Sequence, residues 1–362
     1  MSRLFDSFDV RIRSRLSPGE RRRLESFLAA HGLFYEGNPE VTVFLEDAEG
    51  RIVATGSLEG KVIKMVAVDP AWKEAGLSSK VVSLLVGEAR SLGRTSLFVF
   101  TKPEAGDRFL ALGFVELARY DPHVMLLEMG EPGVEAYKRY LREVREACFP
   151  SPPPGARIGG IVVNCNPFTR GHLWLVEQAS ASCEHLYVVV VEADLSVFPF
   201  KDRLRLVQEG TAHLGNVTVL RSGDYAVSPA TFPSYFLKDR DDLAKARIQA
   251  RLDVTLFARL FCRELGIHTR FVGTEPYCPI TRTYNEAMRE VLPPLGVEVV
   301  ELPRLPLEEG GAAISASTVR QGLREENWDL VRRLVPDVTW AYLRDASTAE
   351  ILERVRKSET RH

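Results

Sequence analysis

The sequence predicts an α/β protein of two domains, a mixed α+β unit followed by a parallel-sheet unit. Three observations carry this. The chain has 362 residues, which at about 150 residues per domain makes about two. Residues 150–157 read Pro-Ser-Pro-Pro-Pro-Gly-Ala-Arg, a run that neither helix nor central strand accommodates, so it is a stiff linker. On its two sides the apolar patterns differ in kind.

In the first part, 1–130, a helix is expected over 17–32, with Ser17 as N-cap, Pro18 at N1, Glu20 at N3 and Gly32 after the end. Strand-like runs follow at 41–47, 51–58 and 62–69, the first two joined by a tight hairpin. A helix over 77–93, a strand over 96–100, a short helix over 106–114 and a strand over 123–129 close the region. Strands first, then helix and strand again, make a mixed α+β domain. Apolar residues at helical spacing over 135–149 predict a connecting helix, so 131–157 reads as helix plus linker.

The second part, 158–345, alternates strictly. Val/Ile/Leu-rich strands at 158–164, 185–192, 216–223, 268–275 and 297–303 are separated by helices over 172–183, 201–215, about 238–265 (long and polar), 283–294 and 315–327. Such strands form a parallel sheet covered on both faces, and such sheets bind ligands outside their carboxyl ends. Residues 346–362 read as a polar tail.

Composition narrows the function. Hydrophobic residues make up 45% and charged residues 27%, which excludes a disordered or fibrous chain. Lys+Arg 47 against Asp+Glu 49 gives a net charge of −2, so no nucleic-acid partner is expected. The stretch 1–15 lacks an apolar core, so no signal peptide is expected, and no run of ~18 apolar residues predicts a membrane partner. Cys148, Cys165, Cys183, Cys262 and Cys278 form no CxxC pair and are odd in number. They read as reduced thiols of a cytoplasmic protein.

Two loops carry the chemistry. Asn164-Cys165-Asn166-Pro167-Phe168-Thr169-Arg170-Gly171-His172 joins the first buried strand to its helix. A helix start there offers free N–H groups and partial positive charge to a phosphate, and His172 could stabilise charge on an α-phosphate. The plainer alternative is that Gly-His only begins a helix. Much later, Ile314-Ser315-Ala316-Ser317-Thr318-Val319-Arg320 follows Gly310 and Gly311. Backbone N–H groups, Ser315, Ser317 and Arg320 make a second place for phosphates, or an ordinary Ser-capped helix. Together the two starts could bracket a triphosphate.

These residues resemble the nucleotidylyltransferase superfamily, which has a Rossmann-like sheet and transfers AMP from ATP. Thr169-Arg170-Gly171-His172 matches its HxGH or TxGH motif, and Ile314 to Arg320 its ISSTxxR-like motif, with Ala316 replacing a serine. A narrower resemblance covers nearly the whole chain. The stretches NCNPFTRGHLWLVEQAS, SVFPFKDRLRLVQEGTAHLGNVTVLRSGDY, SPATFPSYFLKD, LDVTLFARLF, TRFVGTEPYCPITRTYNEAM and AISASTVRQGL resemble the citrate (pro-3S)-lyase ligase family. That resemblance implies a GNAT-like acetyltransferase-type domain ahead of the nucleotidylyltransferase domain. It also implies an acid–thiol ligase that uses ATP, Mg²⁺ and acetate to acetylate the CoA-like thiol on the acyl carrier (gamma) subunit of citrate lyase, releasing AMP and pyrophosphate.

The implied site follows. His172, Thr169 and Asn164 would stabilise charge at the α-phosphate, and Cys165, Asn166, Pro167, Phe168 and Gly171 would line the nucleotide. Ile314, Ser315, Ala316, Ser317, Thr318 and Arg320 would hold the β- and γ-phosphates. Lys201 and Arg203 are candidate phosphate contacts or a solvated helix face. Gly273-Thr274-Glu275-Pro276-Tyr277 is a candidate adenosine-binding turn or a plain βα loop. Mg²⁺ would be held by phosphate oxygens and water, with no ligand cage in the protein. In the first domain, Lys73, Gly76, Leu77 and Ser78 stand where GNAT enzymes cradle a CoA pyrophosphate, and Phe109 to Phe114 also fits that pattern; a degenerate domain that only docks the carrier is the alternative. His185, His213 and His268 read as structural. Arg21-Arg22-Arg23 reads as a solvated face, or as one that meets an acidic carrier. Residues 228–233 and 235–238 match the family without a physical account. Two other functions stay open: a phosphopantetheine-type adenylyltransferase, and a nucleotide-sensing adaptor without turnover.

Overall fold

The computed structural model describes residues 8–193, 195–232, 243–275, 278–307 and 313–358. The chain divides into two compact units, Met1–Ala136 and Tyr137–His362.

The first unit runs β1 (Asp9–Arg13), α1 (Pro18–Ala30), β2 (Val41–Glu46), β3 (Ile52–Glu59), β4 (Val62–Val68), α2 (Leu77–Ser91), β5 (Ser96–Thr101), α3 (Pro103–Ala111), β6 (Val115–Tyr120) and β7 (Val124–Gly130). Its sheet has the order β1-β2-β3-β4-β5-β7-β6. Ser17 caps α1 as expected. Its backbone N–H donates to Glu20 at 2.9 Å, and that bond, with Arg13, lowers the Glu20 carboxyl to about 2. Leu77, Val81, Val82, Leu85 and Ala89 make one buried stripe of α2 and pack with Val53, Leu58, Leu97 and Val99. β4 and β5 form the parallel pair, in register only at Val62↔Phe98 and Ile63↔Val99. Beyond these residues the two strands part. This is the mixed α+β organisation the sequence suggested. Strands β1 and β6 lay outside that reading, because their charged, partly exposed residues carry no apolar run.

Helix α4 (Val134–Cys148) crosses the division between units. Its first N–H, at Val134, is held by Glu128 at 2.7 Å. Its body belongs to the second unit, where the Tyr137 hydroxyl donates to the Arg221 carbonyl at 2.6 Å and its ring meets Tyr225. The expected connector 131–157 is therefore not a separate segment; from Tyr137 onward it is part of the second unit.

The second unit continues with β8 (Ile158–Val163), α5 (Arg170–Ser180), β9 (His185–Val190), α6 (Phe200–Thr211), β10 (Val217–Arg221), α7 (Leu243–Phe257), α8 (Arg263–Leu265), β11 (Thr269–Gly273), α9 (Pro279–Val291), β12 (Glu298–Leu302), α10 (Ala316–Arg324), α11 (Trp328–Leu334), α12 (Asp337–Arg344) and α13 (Ala349–Lys357). Its sheet has the order β10-β9-β8-β11-β12, parallel throughout. The chain first builds outward from β8 through β9 and β10, then returns to the other side of β8 for β11 and β12. That reversal opens a crevice at the carboxyl ends of β8 and β11, where a parallel α/β sheet takes its ligand. Among the described residues no helix is long and apolar enough to cross a membrane.

Two expectations are corrected. The helix read as polar over 238–265 is buried along α7, including Ala246, Ala250, Leu252, Val254 and Phe257; Gln249 and Asp253 gave it its polar look and are buried too. Its stretch 238–242 lies outside the described residues. The tail read at 346–362 contains α13, whose Val355 is fully buried with Val319, Leu323 and Leu334; 359–362 lie outside the described residues. Val355→Ala is expected to lower unfolding free energy by about 1–3 kcal/mol, measured by denaturant titration. An unchanged midpoint would show that α13 is dispensable to the core.

Candidate active site

The site begins at the carboxyl end of β8. Thr169, extended at φ −120° and ψ 165°, caps α5. Its Oγ1 accepts from the His172 N–H at 3.2 Å, and its own N–H donates to His172 Nδ1 at 3.1 Å. Thr169 Oγ1 also lies 2.9 Å from Nδ1. Since Nδ1 is an acceptor, the ring proton sits on Nε2. Burial, reinforced by the Arg304 guanidinium, pulls the imidazole from 6.5 down to about 4. At neutral pH His172 is an uncharged Nε2–H donor in the wall of the crevice. Thr169 is itself buried, so its hydroxyl orients the imidazole.

The crevice is a cleft of about 270 Å³. Asn164, Thr169, Gly171 and His172 line it from the first loop, and Ile314, Ser315 and Ala316 from the second. The loops touch. A Cβ on Gly171 would stand 2.9 Å from the Ile314 carbonyl oxygen, so a side chain there would push them apart. Ser315 caps α10, its Oγ accepting from the Thr318 N–H at 3.1 Å and lying 2.9 Å from Ser317 Oγ and 2.8 Å from Thr318 Oγ1. Ser317 and Thr318 thus join the cleft through Ser315. The first turns of α5 and α10 both contribute to the lining, with the unpaired N–H groups that helix starts carry. Gly310 and Gly311 lie outside the described residues.

Two arginines expected at phosphate are placed otherwise. Arg203 is fully buried and donates to the carbonyls of Phe198 (3.0 Å), Asn164 (2.8 Å), Val191 (2.7 Å) and Ala193 (3.1 Å). It also donates to Asn164 Oδ1 at 3.0 Å, while Asn164 Nδ2 reaches Ser196 Oγ at 3.1 Å. Arg203 therefore sets the orientation of the Asn164 amide from below. Arg320, 3% exposed, donates from Nη1 to the Asn166 carbonyl across 154 residues. It ties the second loop to the first. Lys201 is exposed on α6 and is not part of the lining.

Cys165, Asn166 and Phe168 are buried beneath the loop, and the Asn166–Pro167 bond is cis. Asn166 Oδ1 accepts from the Phe198 N–H at 3.1 Å. Burial pushes the Cys165 thiol far above its usual range. These residues shape the loop from inside. Gly273 and Glu275 line the cleft, while Thr274 uses its N–H on the Leu302 carbonyl at 3.0 Å. Pro276 and Tyr277 lie outside the described residues.

Sequence reasoning missed several lining residues. Arg304 donates from Nε to the Thr274 carbonyl at 2.5 Å and pairs with Glu275. Its signal was its place just past β12, at the sheet edge that binds ligands. Asn285 donates to the Gly273 carbonyl at 3.0 Å. Arg270 and Tyr284 also line the cleft, with nothing local in sequence to mark them.

In the first unit, Gly76 has φ +68° and immediately precedes α2. Leu77 is buried and Lys73 exposed in the short 3₁₀ turn Pro70–Ala75. Ser78 lines a cavity of about 80 Å³ with Val66, Thr101 and Arg108, where β4 and β5 part. Phe109 and Phe114 are buried and meet edge to face at 5.6 Å. Of the remaining histidines, His185 holds Thr218 Oγ1 at 3.0 Å and stacks on Phe149, and His213 faces Glu177 at 3.4 Å.

Residues 158–343 match the family model for the citrate lyase ligase C-terminal domain. A citrate (pro-3S)-lyase ligase of Klebsiella pneumoniae is 39% identical over 334 residues, 91% of this chain and 94% of that protein. One from Escherichia coli K12 is 35% identical over 344 residues, 92% of this chain and 94% of that protein. Among solved structures, Thermotoga maritima TmcAL, bound with alpha-thio ATP, is 16% identical over 52% of this chain and 55% of its own, with a TM-score of 0.33.

The imidazole makes a direct prediction. By ¹⁵N NMR, His172 should remain the neutral Nε2–H tautomer at pH 7 and protonate near pH 4; titration near 6.5 would contradict the geometry. Because the folded value lies below the unfolded one, His172's contribution to stability is present above pH 6.5 and is lost as pH falls through about 4.

Proposed function

The chain belongs to the citrate lyase ligase family, and on that premise we propose how its parts share an ATP-dependent acetylation that activates citrate lyase. A carboxylate does not exchange its oxygen for sulfur at neutral pH unaided. Adenylation supplies a leaving group. Acetate attacks the α-phosphorus of ATP, an oxygen–phosphorus bond forms, and pyrophosphate departs with its bonding electrons. The thiol of the CoA-like arm then attacks the acetyl carbon, and AMP leaves.

One observation carries the reading: the two helix starts and the His172 imidazole line a single cleft at the switch point of a parallel sheet. His172 Nε2–H and the Asn164 amide are the donors for the α-phosphate as charge builds on it. Being neutral, His172 offers a hydrogen bond and keeps its proton. The start of α10, with Ser315 and Ala316, takes the β- and γ-phosphates. Arg304 adds positive charge beside His172. Arg203 and Arg320 act as positioning residues, one on Asn164 and one on the loop pair.

Mg²⁺ enters in this reading with the phosphates. Glu275, a carboxylate of the lining, already accepts from Arg304 and from the Cys278 N–H. The protein side therefore provides no fitting cage there. The acyl carrier (gamma) subunit is the macromolecular substrate. The opening between β4 and β5, bordered by Ser78 and reached past Lys73, Gly76 and Leu77, is the place for its CoA-like arm. A cytoplasmic location completes the reading, supported by five cysteines that are all free.

His172→Ala should reduce acetate-dependent exchange of pyrophosphate into ATP by about 10²–10³-fold, with ATP affinity little changed. Retained exchange would remove His172 from this role. Gly76→Leu should slow carrier-thiol acetylation while the exchange continues, with the melting profile confirming a folded first unit; equal loss of both steps would separate the loop from the arm. Pyrophosphate release that needs no acetate but requires a phosphate-monoester acceptor, which takes up the AMP, would turn the reading toward a phosphate-accepting adenylyltransferase.

A further inference from the structure

The groups assigned to the nucleotide leave the acid substrate without a partner. Acetate is small, and a site for it needs one cation for its carboxylate and a tight apolar wall for its methyl group. Arg270 stands at the second position of β11, in register with Gly160 of β8, below the carboxyl edge of the sheet. Its side chain lines the cleft and is 3% exposed. Nη1 donates to the Gly160 carbonyl at 3.2 Å, and the guanidinium carbon lies 4.9 Å from the centre of the Phe257 ring. These contacts hold the group in place and neutralise none of its charge. Among the described residues no carboxylate forms an ion pair with it.

The nearest acid is engaged elsewhere. Asp253 is fully buried, its Oδ1 accepting from the Val227 N–H at 2.9 Å and its Oδ2 from the Tyr284 hydroxyl at 2.6 Å. Thr231 bonds it as well. Asp253 thus fixes two cleft-lining groups, Val227 and Tyr284, instead of closing on Arg270. Val227 has φ +49°, a conformation a β-branched residue rarely adopts, and the Asp253 bond holds it there. The stretch beginning at Ser228 contributes to the same arrangement, because its Thr231 anchors this aspartate. Arg270 feels Asp253 through space but forms no ion pair with a described carboxylate, and a buried cation so placed in a cleft lining is costly unless a ligand supplies the paired anion. The guanidinium fork fits a carboxylate's two oxygens.

We propose that Arg270 binds the carboxylate of the acid substrate at the floor of the cleft, with Val227 and Tyr284 walling its alkyl group so that only a short chain fits. One carboxylate oxygen remains on the guanidinium while the other attacks the α-phosphorus. The inference rests on the acetate-activating reading and adds the residue that recognises the acid.

The test uses the full chain. Arg270→Gln should raise the KM for acetate in pyrophosphate exchange by about 10- to 100-fold, with ATP affinity within about threefold of the parent. Parallel loss of ATP affinity, or an unchanged KM for acetate, would overturn the proposal. Should that variant fold poorly, Val227→Gly decides. Glycine suits φ +49° and keeps the N–H on Asp253, while removing the wall. Its preference for butyrate over acetate should rise by about tenfold or more, and an unchanged preference would equally overturn the proposal. Failure of the broader reading looks different: the parent chain itself would show no acetate-dependent exchange. In that event ¹³C-acetate line broadening still decides the inference, by binding to the ATP-loaded parent that is lost in Arg270→Gln, against binding that is absent or survives the substitution.

Discussion

The cleft depends on a contact between two stretches of chain that are far apart in sequence. Gly171 lets the Ile314 carbonyl approach to a distance no side chain would allow, and Arg320 ties the second loop to the Asn166 carbonyl of the first. Remove that closeness and α5 and α10 still form, each capped by its own hydroxyl, but they no longer line one cleft. Two partial charges of the same sign are held side by side at the end of a sheet. That arrangement is unfavourable by itself and is relieved by a polyanion.

Local folding and chemistry use the same hydrogen bonds in this site. The reciprocal bonds between Thr169 and His172 are a helix cap. They also decide which imidazole nitrogen carries the proton. A residue that begins a helix is therefore a donor of fixed direction, and the cleft wall keeps it uncharged. Asn164 is treated similarly, its amide turned by a buried arginine that satisfies four backbone carbonyls as well. Orientation is settled before any ligand arrives, which is the condition for electrostatic stabilisation without reorganisation.

Much of this was legible in the sequence, because it is carried by short-range patterns. Val-rich runs alternating with helices gave the parallel sheet, and Thr169 to His172 and Ile314 to Ser317 gave the two turns. What could not be read was burial of charge. Arg203 and Arg320 looked like phosphate ligands because arginine in a loop or at a helix start has that chemistry, yet five donors on one group serve backbone carbonyls equally well. Arg304, Arg270 and Tyr284 were missed for a different reason: each is a single residue whose importance comes from tertiary placement. Edge strands β1 and β6 alternate only briefly, over five and six residues that are charged and partly exposed, and α11 to α13 are too short for helical periodicity to stand out. The tail containing α13 looked solvated because Ile351, Leu352 and Val355, which face the core, are interspersed with Glu350, Glu353, Arg354, Arg356 and Lys357.

The seclusion of Cys165 has a consequence for the chemistry overhead. An acyl adenylate is a strong electrophile toward any thiolate nearby, including those of its own maker. Cys165 sits in the very loop that carries His172, yet its sulfur faces the interior and burial keeps it protonated. A protonated, inaccessible sulfur is a poor nucleophile. On the mechanism proposed above, that seclusion shields the protein from modifying itself while the acyl group passes to a different sulfur.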